Sequence, residues 1–174
     1  MKRRIIVSII VLMFVLSLAS SASDQWSTFF SKDEMTGEEN WYATSLTIGP
    51  TEKMNFPYGD VTAYLGVGYD GEDEWIYIGF TEAPNLNGTI IKDGYNLIKT
   101  RIKWDDELEN ISMTQNWGSK IIHFQNNKIV VSKIVESNTM LLELDWYGED
   151  KVYFRFSLAG SSTAIDKIHD AFEG

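Results

Sequence analysis

The chain has 174 residues, with 15 Lys and Arg against 25 Asp and Glu for a formal net charge of −10, no Cys, three Pro, and six Trp, eight Tyr and nine Phe. At 44% hydrophobic and 23% charged it is neither collagenous, nor of low complexity, nor wholly disordered, and its length suits one compact domain. The absence of Cys removes disulfides, thiolate zinc sites and Cys nucleophiles from consideration.

Residues 1–22 open with Lys2, Arg3 and Arg4, continue as an apolar stretch over 5–19 and close on Ser20, Ser21 and Ala22. A basic start, a short apolar centre and a small-residue exit are the layout of a cleavable secretory signal peptide, with cleavage placed after Ala22. The alternative is an uncleaved anchor, because residues 5–22 are just long enough to span a bilayer. The protein is therefore expected to be exported, periplasmic or secreted, with no integral membrane domain once the signal is cleaved. Without residues 1–22, 12 basic side chains face 25 acidic ones, a net charge of −13. Such a surface repels nucleic-acid phosphates and anionic lipid headgroups, so nucleic acid is not an expected partner.

Residues 23–40, with Trp26, Phe29 and Phe30, read as an irregular N-terminal segment, and 41–174 as a single β-rich domain. Residues 41–48 (WYATSLTI) form the first predicted strand, closed by Gly49-Pro50. After a loop over 51–60, residues 61–69 alternate: Val61, Ala63, Leu65, Val67 and Tyr69 share one face, and Thr62, Tyr64, Gly66 and Gly68 the other. An acidic turn over 70–74 leads into a return strand over 75–80, the clearest hairpin in the chain. Gly66, Gly68 and Gly79 within it point to bulging or close packing.

A longer connection precedes a strand over 95–104, a second acidic loop over 105–110, and two strands over 111–117 and 120–124 joined at Gly118. Residues 128–137 are β-branched enough for a strand, but the spacing of Ile129 or Val130 to Lys133 and Ile134 favours a short helix. Residues 139–147 and 151–158 make a second hairpin, with Val152, Phe154, Phe156 and Leu158 on one face. A terminal helix follows Gly160, capped by Ser162 or Thr163, with Ala164, Ile165, Ile168, Ala171 and Phe172 as its apolar stripe. The expected architecture is mainly β: an antiparallel sandwich or incomplete barrel of seven or eight strands with a C-terminal α-helix.

No catalytic nucleophile, metal cluster or cofactor motif stands out, and no cofactor is expected. His123 and His169 are the only imidazoles, one in a predicted strand and one on the terminal helix, and no Gly-x-Ser-x-Gly elbow exists. Asp70, Glu72, Asp73 and Glu74, or Asp105, Asp106 and Glu107, offer oxygen ligands of the kind Ca²⁺ takes, but without EF-hand spacing they read as solvated turns. Glu143 and Asp145, two apart on a strand and beside Trp146 and Tyr147, are a carboxylate pair of the type that hydrolyses glycosides. Trp75, Trp104 and Trp146 fall in or beside core strands, where aromatics pack. Trp26, Trp41 and Tyr64 are the candidate binding surface. Asn87-Gly88-Thr89 and Asn110-Ile111-Ser112 match the glycosylation acceptor pattern.

The order of features is export signal, Trp26, the Asp33-x-Met35-Thr36-Gly37 segment, the strand over 95–104 containing Arg101, the hairpin over 141–158, then Leu158-x-Gly160 leading to Ala164-Ile165 on a final helix. This layout resembles the exported accessory proteins associated with type VI secretion, of the TagO/VasI type, although members of that family often carry cysteines. The resemblance implies a non-enzymatic periplasmic β domain with protein partners, and it carries over no catalytic residues. The residues and the resemblance together lead to an exported, non-catalytic β-sandwich domain that binds a protein or a cell-envelope component, and the resemblance implies a secretion-system accessory protein. The alternative is a carbohydrate-binding or glycan-cleaving extracytoplasmic protein.

Overall fold

The computed structural model describes residues 25–173. The expected signal peptide over residues 1–22 lies outside the described residues. Among the described residues, ten strands and two helices follow one another as β1 (Trp26–Lys32), β2 (Glu39–Ser45), β3 (Ala63–Tyr69), β4 (Glu74–Phe80), β5 (Ile90–Lys92), β6 (Tyr95–Trp104), β7 (Glu107–Asn116), β8 (Ile121–Phe124), α1 (Asn127–Glu136), β9 (Thr139–Asp145), β10 (Lys151–Ser157) and α2 (Ser161–Glu173). The strands form one open antiparallel sheet in the order β1-β2-β3-β4-β8-β7-β6-β9-β10, with β5 attached to β6.

The mainly β architecture with a C-terminal helix is as expected, but there are ten strands and a single sheet. Two strands escaped the sequence reading. β1 lies in the segment expected to be irregular; it buries only Trp26 and is held by seven register pairs with β2, so its own side chains carry no core pattern. β5 is three exposed residues long. The acidic stretch 105–110 is also mostly strand. Trp104 pairs with Glu107, which leaves Asp105 and Asp106 as a two-residue turn, with Asp105 in the left-handed region at φ 46°.

The sheet curls so that its two halves face each other across one core. Leu65, Ile76 and Ile78 from β3 and β4 meet Met113, Ile122, Leu142, Phe154 and Phe156, all without solvent access. The ring of Phe80 on β4 lies 5.5 Å edge-on from that of Phe154 on β10. Burying such side chains stabilises by about 1.5–3 kcal/mol each, which is how a chain without disulfides holds together. α2 adds Ala164, Ile165 and Ile168 to this core; Ala171 and Phe172, assigned to the same stripe, stay more exposed, and Phe172 instead packs edge-on against Tyr69. α1 is helical, as its spacing predicts; it buries Val130 and Ile134, and the Ser161 hydroxyl donates to the Ile134 carbonyl at 3.0 Å, tying the two helices together.

The two outer edges of the sheet differ. The connection between β2 and β3 runs back to β10, where the Thr51 N–H donates to the Tyr153 carbonyl at 2.8 Å and the Asn55 backbone and side-chain N–H groups donate to the Glu149 carboxylate. β1 has a strand neighbour on one side only, among the described residues. No helix among the described residues is long and apolar enough to cross a membrane.

Candidate functional site

Both described helices pack on the inward, core side, and no other described element covers the outward face of β2, β3 and β4. Strand register lays the outward residues out in rows. Phe29 pairs with Tyr42, Tyr42 with Gly68 and Gly68 with Trp75. The next row runs Thr44, Gly66, Tyr77, His123, Thr114 and Leu97, and the third holds Tyr64, Gly79 and Ile121. Every glycine in these rows faces an aromatic ring. A Cβ at Gly66 would lie 2.3 Å from the Tyr77 ring, one at Gly68 2.2 Å from Trp75, and one at Gly79 2.3 Å from Tyr64. Only glycine leaves room for a ring to lie against the neighbouring backbone in this way.

The rings then brace one another. Phe29 stacks on Tyr42 at 5.0 Å, Tyr42 meets Trp75 edge-on at 5.9 Å, and Tyr64 meets Tyr77 edge-on at 6.0 Å. Tyr77 is buried beneath its neighbours, Tyr42, Tyr64 and Trp75 are half-buried, and Phe29 is 48% exposed. Burial, with the nearby Tyr64 and Tyr42 phenols adding to it, pushes the Tyr77 hydroxyl far above its ordinary value of 10.0; burial also raises Tyr42.

No family model, curated protein or solved structure matches this chain.

Of the three residues proposed as a binding surface, Tyr64 lies on this aromatic face. Trp26 is only 5% exposed, in the core, and its indole N–H has no partner among the described residues. Trp41 lies in the inward-facing row with Phe30 and Tyr69, its ring 5.1 Å from that of Phe30. The three therefore do not share a surface. The rings that do join Tyr64 are Phe29, Tyr42, Trp75 and Tyr77. Trp75, assigned to core packing, is half-buried on the outward side. The available signal was parity: Gly66 and Gly68 alternate onto the same face as Tyr64, opposite the apolar positions.

Farther along the same outward face, on β6, β9 and β10, charge replaces aromatic packing. Arg101 grips Glu143 with Nε, at 3.1 Å, and with Nη2. Lys151 Nζ lies 2.9 Å from Asp145 and 3.8 Å from Glu143, and Asn87 donates to Asp145 at 3.0 Å. The Arg101 hydrogen bonds hold the Glu143 carboxyl below its ordinary 4.5, and Lys151, with Asn87, holds Asp145 below 3.8. Both carboxylates are thus ionised at neutral pH. Glycoside hydrolysis uses one carboxyl of a pair as a proton donor, and the shifts of Glu143 and Asp145 both run away from that role.

The acidic turns have local duties. The Asp70 carboxylate accepts the backbone N–H groups of Glu72 and Asp73 at 2.9 and 2.7 Å, and Asp105 accepts those of Asn138 and Thr139 at 3.1 and 2.9 Å. These bonds lower the pKa of both groups. Among the described residues no three His, Asp or Glu side chains gather as metal ligands. His169 sits 2.7 Å from Glu74 with its ring against Tyr69, while His123 lies outward beside Tyr77.

Proposed function

We propose that this protein is an exported, non-catalytic binding domain that takes a cell-envelope glycan on the outward aromatic face of β2–β4. The observation that carries the reading is the fit of Tyr64, Trp75 and Tyr77 onto Gly79, Gly68 and Gly66. It fixes ring orientation on a surface that neither described helix covers, where half-buried Tyr64 and Trp75 sit over the buried Tyr77, and a partly exposed patch of held aromatic rings suits ligand binding. Rings lying along a sheet suit the C–H face of a pyranose. The hydroxyls of Tyr42 and Tyr64 and the His123 imidazole supply hydrogen-bonding groups for the sugar hydroxyls around it.

The test is a titration of the purified protein with soluble envelope-glycan fragments, read by intrinsic tryptophan fluorescence. Binding is expected to change the emission, and Tyr64→Ala is expected to weaken it about tenfold or more, since an aromatic contact and a hydrogen bond are lost together. Fragments that leave the emission unchanged, with no heat in a parallel calorimetric titration, would remove this reading.

A protein partner is the second reading, and one observation favours it: β1 lacks a second strand neighbour among the described residues and carries Phe29 and Phe30, 48% and 57% exposed. A free strand edge with apolar side chains accepts an added strand. Cross-linking from Ser31 to a peptide partner, without any glycan binding, would favour it. The secretion-accessory role rests on the layout likeness alone.

A further inference from the structure

β6 sits at a fork in the sheet. β7 runs along one edge of it for its whole length, while on the other edge β5 pairs with residues 95–97 and β9 with residues 102–104. Residues 98–101 have no strand on that side. A cleft of about 410 Å³ opens at the gap; Leu86 and Asn87 border it beside Asp145, to which Asn87 donates, together with Glu143 and Lys151, while Lys99, Asn110 and Ser112 line it from β6 and β7.

The two ends of this cleft offer opposite chemistry. At one end Glu143 and Asp145 are already neutralised by Arg101 and Lys151. Their remaining lone pairs accept hydroxyl donors, yet two carboxylates repel a dianion. At the other end Lys99 has no carboxylate within 4.0 Å among the described residues. Ser112 lies directly across the ladder from Lys99, and Asn110 across from Arg101. Neither the Ser112 hydroxyl nor the Asn110 amide bonds another protein group among the described residues. Leu86, Ile98 and Ile111 add apolar surface.

From this arrangement we infer that the cleft binds an acidic sugar, a pyranose bearing one carboxylate. The carboxylate pairs with Lys99 and accepts from Ser112 and Asn110; ring hydroxyls donate to Glu143 and Asp145; the C–H surface meets the three apolar side chains. Lys99 is exposed, so a neutral sugar loses only its charge attraction, and a phosphate dianion meets the two carboxylates, so neither fits as well. The site is set against the charge of the whole molecule. Lys99, Arg101, Lys103, Lys151 and Arg155 share the outward face of β6 and β10, although the chain without residues 1–22 carries 25 acidic against 12 basic side chains.

This inference extends the glycan reading to a second place on the same sheet face and rests on it only for the class of ligand. The register row from Tyr77 through His123 and Thr114 to Leu97 separates the two places by three strand spacings, about 14 Å.

The test is an NMR titration of the isotope-labelled protein with glucuronate, with glucose and sodium sulfate as comparison ligands, on wild type, Lys99→Gln and Ser112→Ala. Glucuronate is expected to shift the amide signals of residues 98–101 and 110–112. Lys99→Gln is expected to weaken binding about fivefold or more, and Ser112→Ala less, as follows from losing a charged and a neutral hydrogen bond respectively. Shifts at residues 98–101 and 110–112 report the cleft and not the aromatic face of β2–β4, so failure of the aromatic reading does not remove this one. Glucose binding as tightly as glucuronate, sulfate binding as tightly as glucuronate, or Lys99→Gln binding like wild type in a spectrum that otherwise reports the native fold would each overturn the inference.

Discussion

Tyr64, Trp75 and Tyr77 keep their places on β3 and β4 because each ring faces a glycine, whereas Arg101 and Lys151 keep theirs on β6 and β10 because each faces a carboxylate. The two regions share one sheet face and one strand register. Shape fixes the first, which is therefore indifferent to salt and to pH near neutrality. Charge fixes the second, half-exposed at Arg101, so that solvent and salt weaken it and protonation removes it. A ligand spanning both would meet a rigid apolar floor at one end and an adjustable polar cleft at the other.

The largest expected effect lies in the first region. Gly66→Ala places a methyl group 2.3 Å from the Tyr77 ring and should cost about 1–3 kcal/mol in urea denaturation, as overpacking does. Tyr77→Ala in the same chain should recover part of that loss, a coupling that a double-mutant cycle measures. If Gly66→Ala is neutral, or if the two changes simply add, ring-on-glycine packing is not what holds this face.

A smaller effect is expected in the second region, at acid pH. Glu143 has a folded pKa depressed below 4.5, so it contributes stability that is complete above that value and lost as pH falls through the depressed one. Stability followed by urea midpoints should decline below about pH 4.5, and Glu143→Gln should flatten part of the decline. Arg101→Met should destabilise at pH 7, where it strands a buried carboxylate, and less at pH 3, where that carboxyl is protonated. An Arg101→Met effect that does not change with pH would separate Arg101 from Glu143.

A separate effect is expected in alkali and returns to the aromatic side. Tyr77 has a folded pKa raised above 10.0, so the stability tied to its neutral form is complete below 10 and is lost as pH rises beyond it. In ultraviolet titration one phenol should ionise well after the exposed ones, and Tyr77→Phe should remove that late step. A Tyr77 that titrates with the others would show that the ring is not buried beneath its neighbours.

How far the sequence anticipated this depends on what each segment faces. The hairpin of β3 and β4 was legible from two β-branched and aromatic runs around an acidic turn, and β10 from its alternation, with Val152, Phe154 and Phe156 all buried. β1 was not, since a strand at the sheet edge with only Trp26 buried has no alternation to read. The acidic residues 107–110 looked like loop by composition, but pairing with β6 makes them strand. At the candidate site Gly66, Gly68 and Gly79 were visible as unusual strand residues. Their ring partners were not, because the aromatic residue lying on each glycine is decided by register across two strands. Trp26 was expected on the binding surface, but it is the one residue of β1 that reaches the core, and an irregular-looking segment offers no pattern that would say so.

The most direct test of the central claim is a calorimetric titration of soluble envelope glycan into wild type and Trp75→Ala. The account predicts a binding heat in wild type that is lost, or weakened about tenfold, in Trp75→Ala while urea stability stays within about 1 kcal/mol. Equal binding by the two proteins would contradict it, because the outward aromatic face would then not be where the glycan rests.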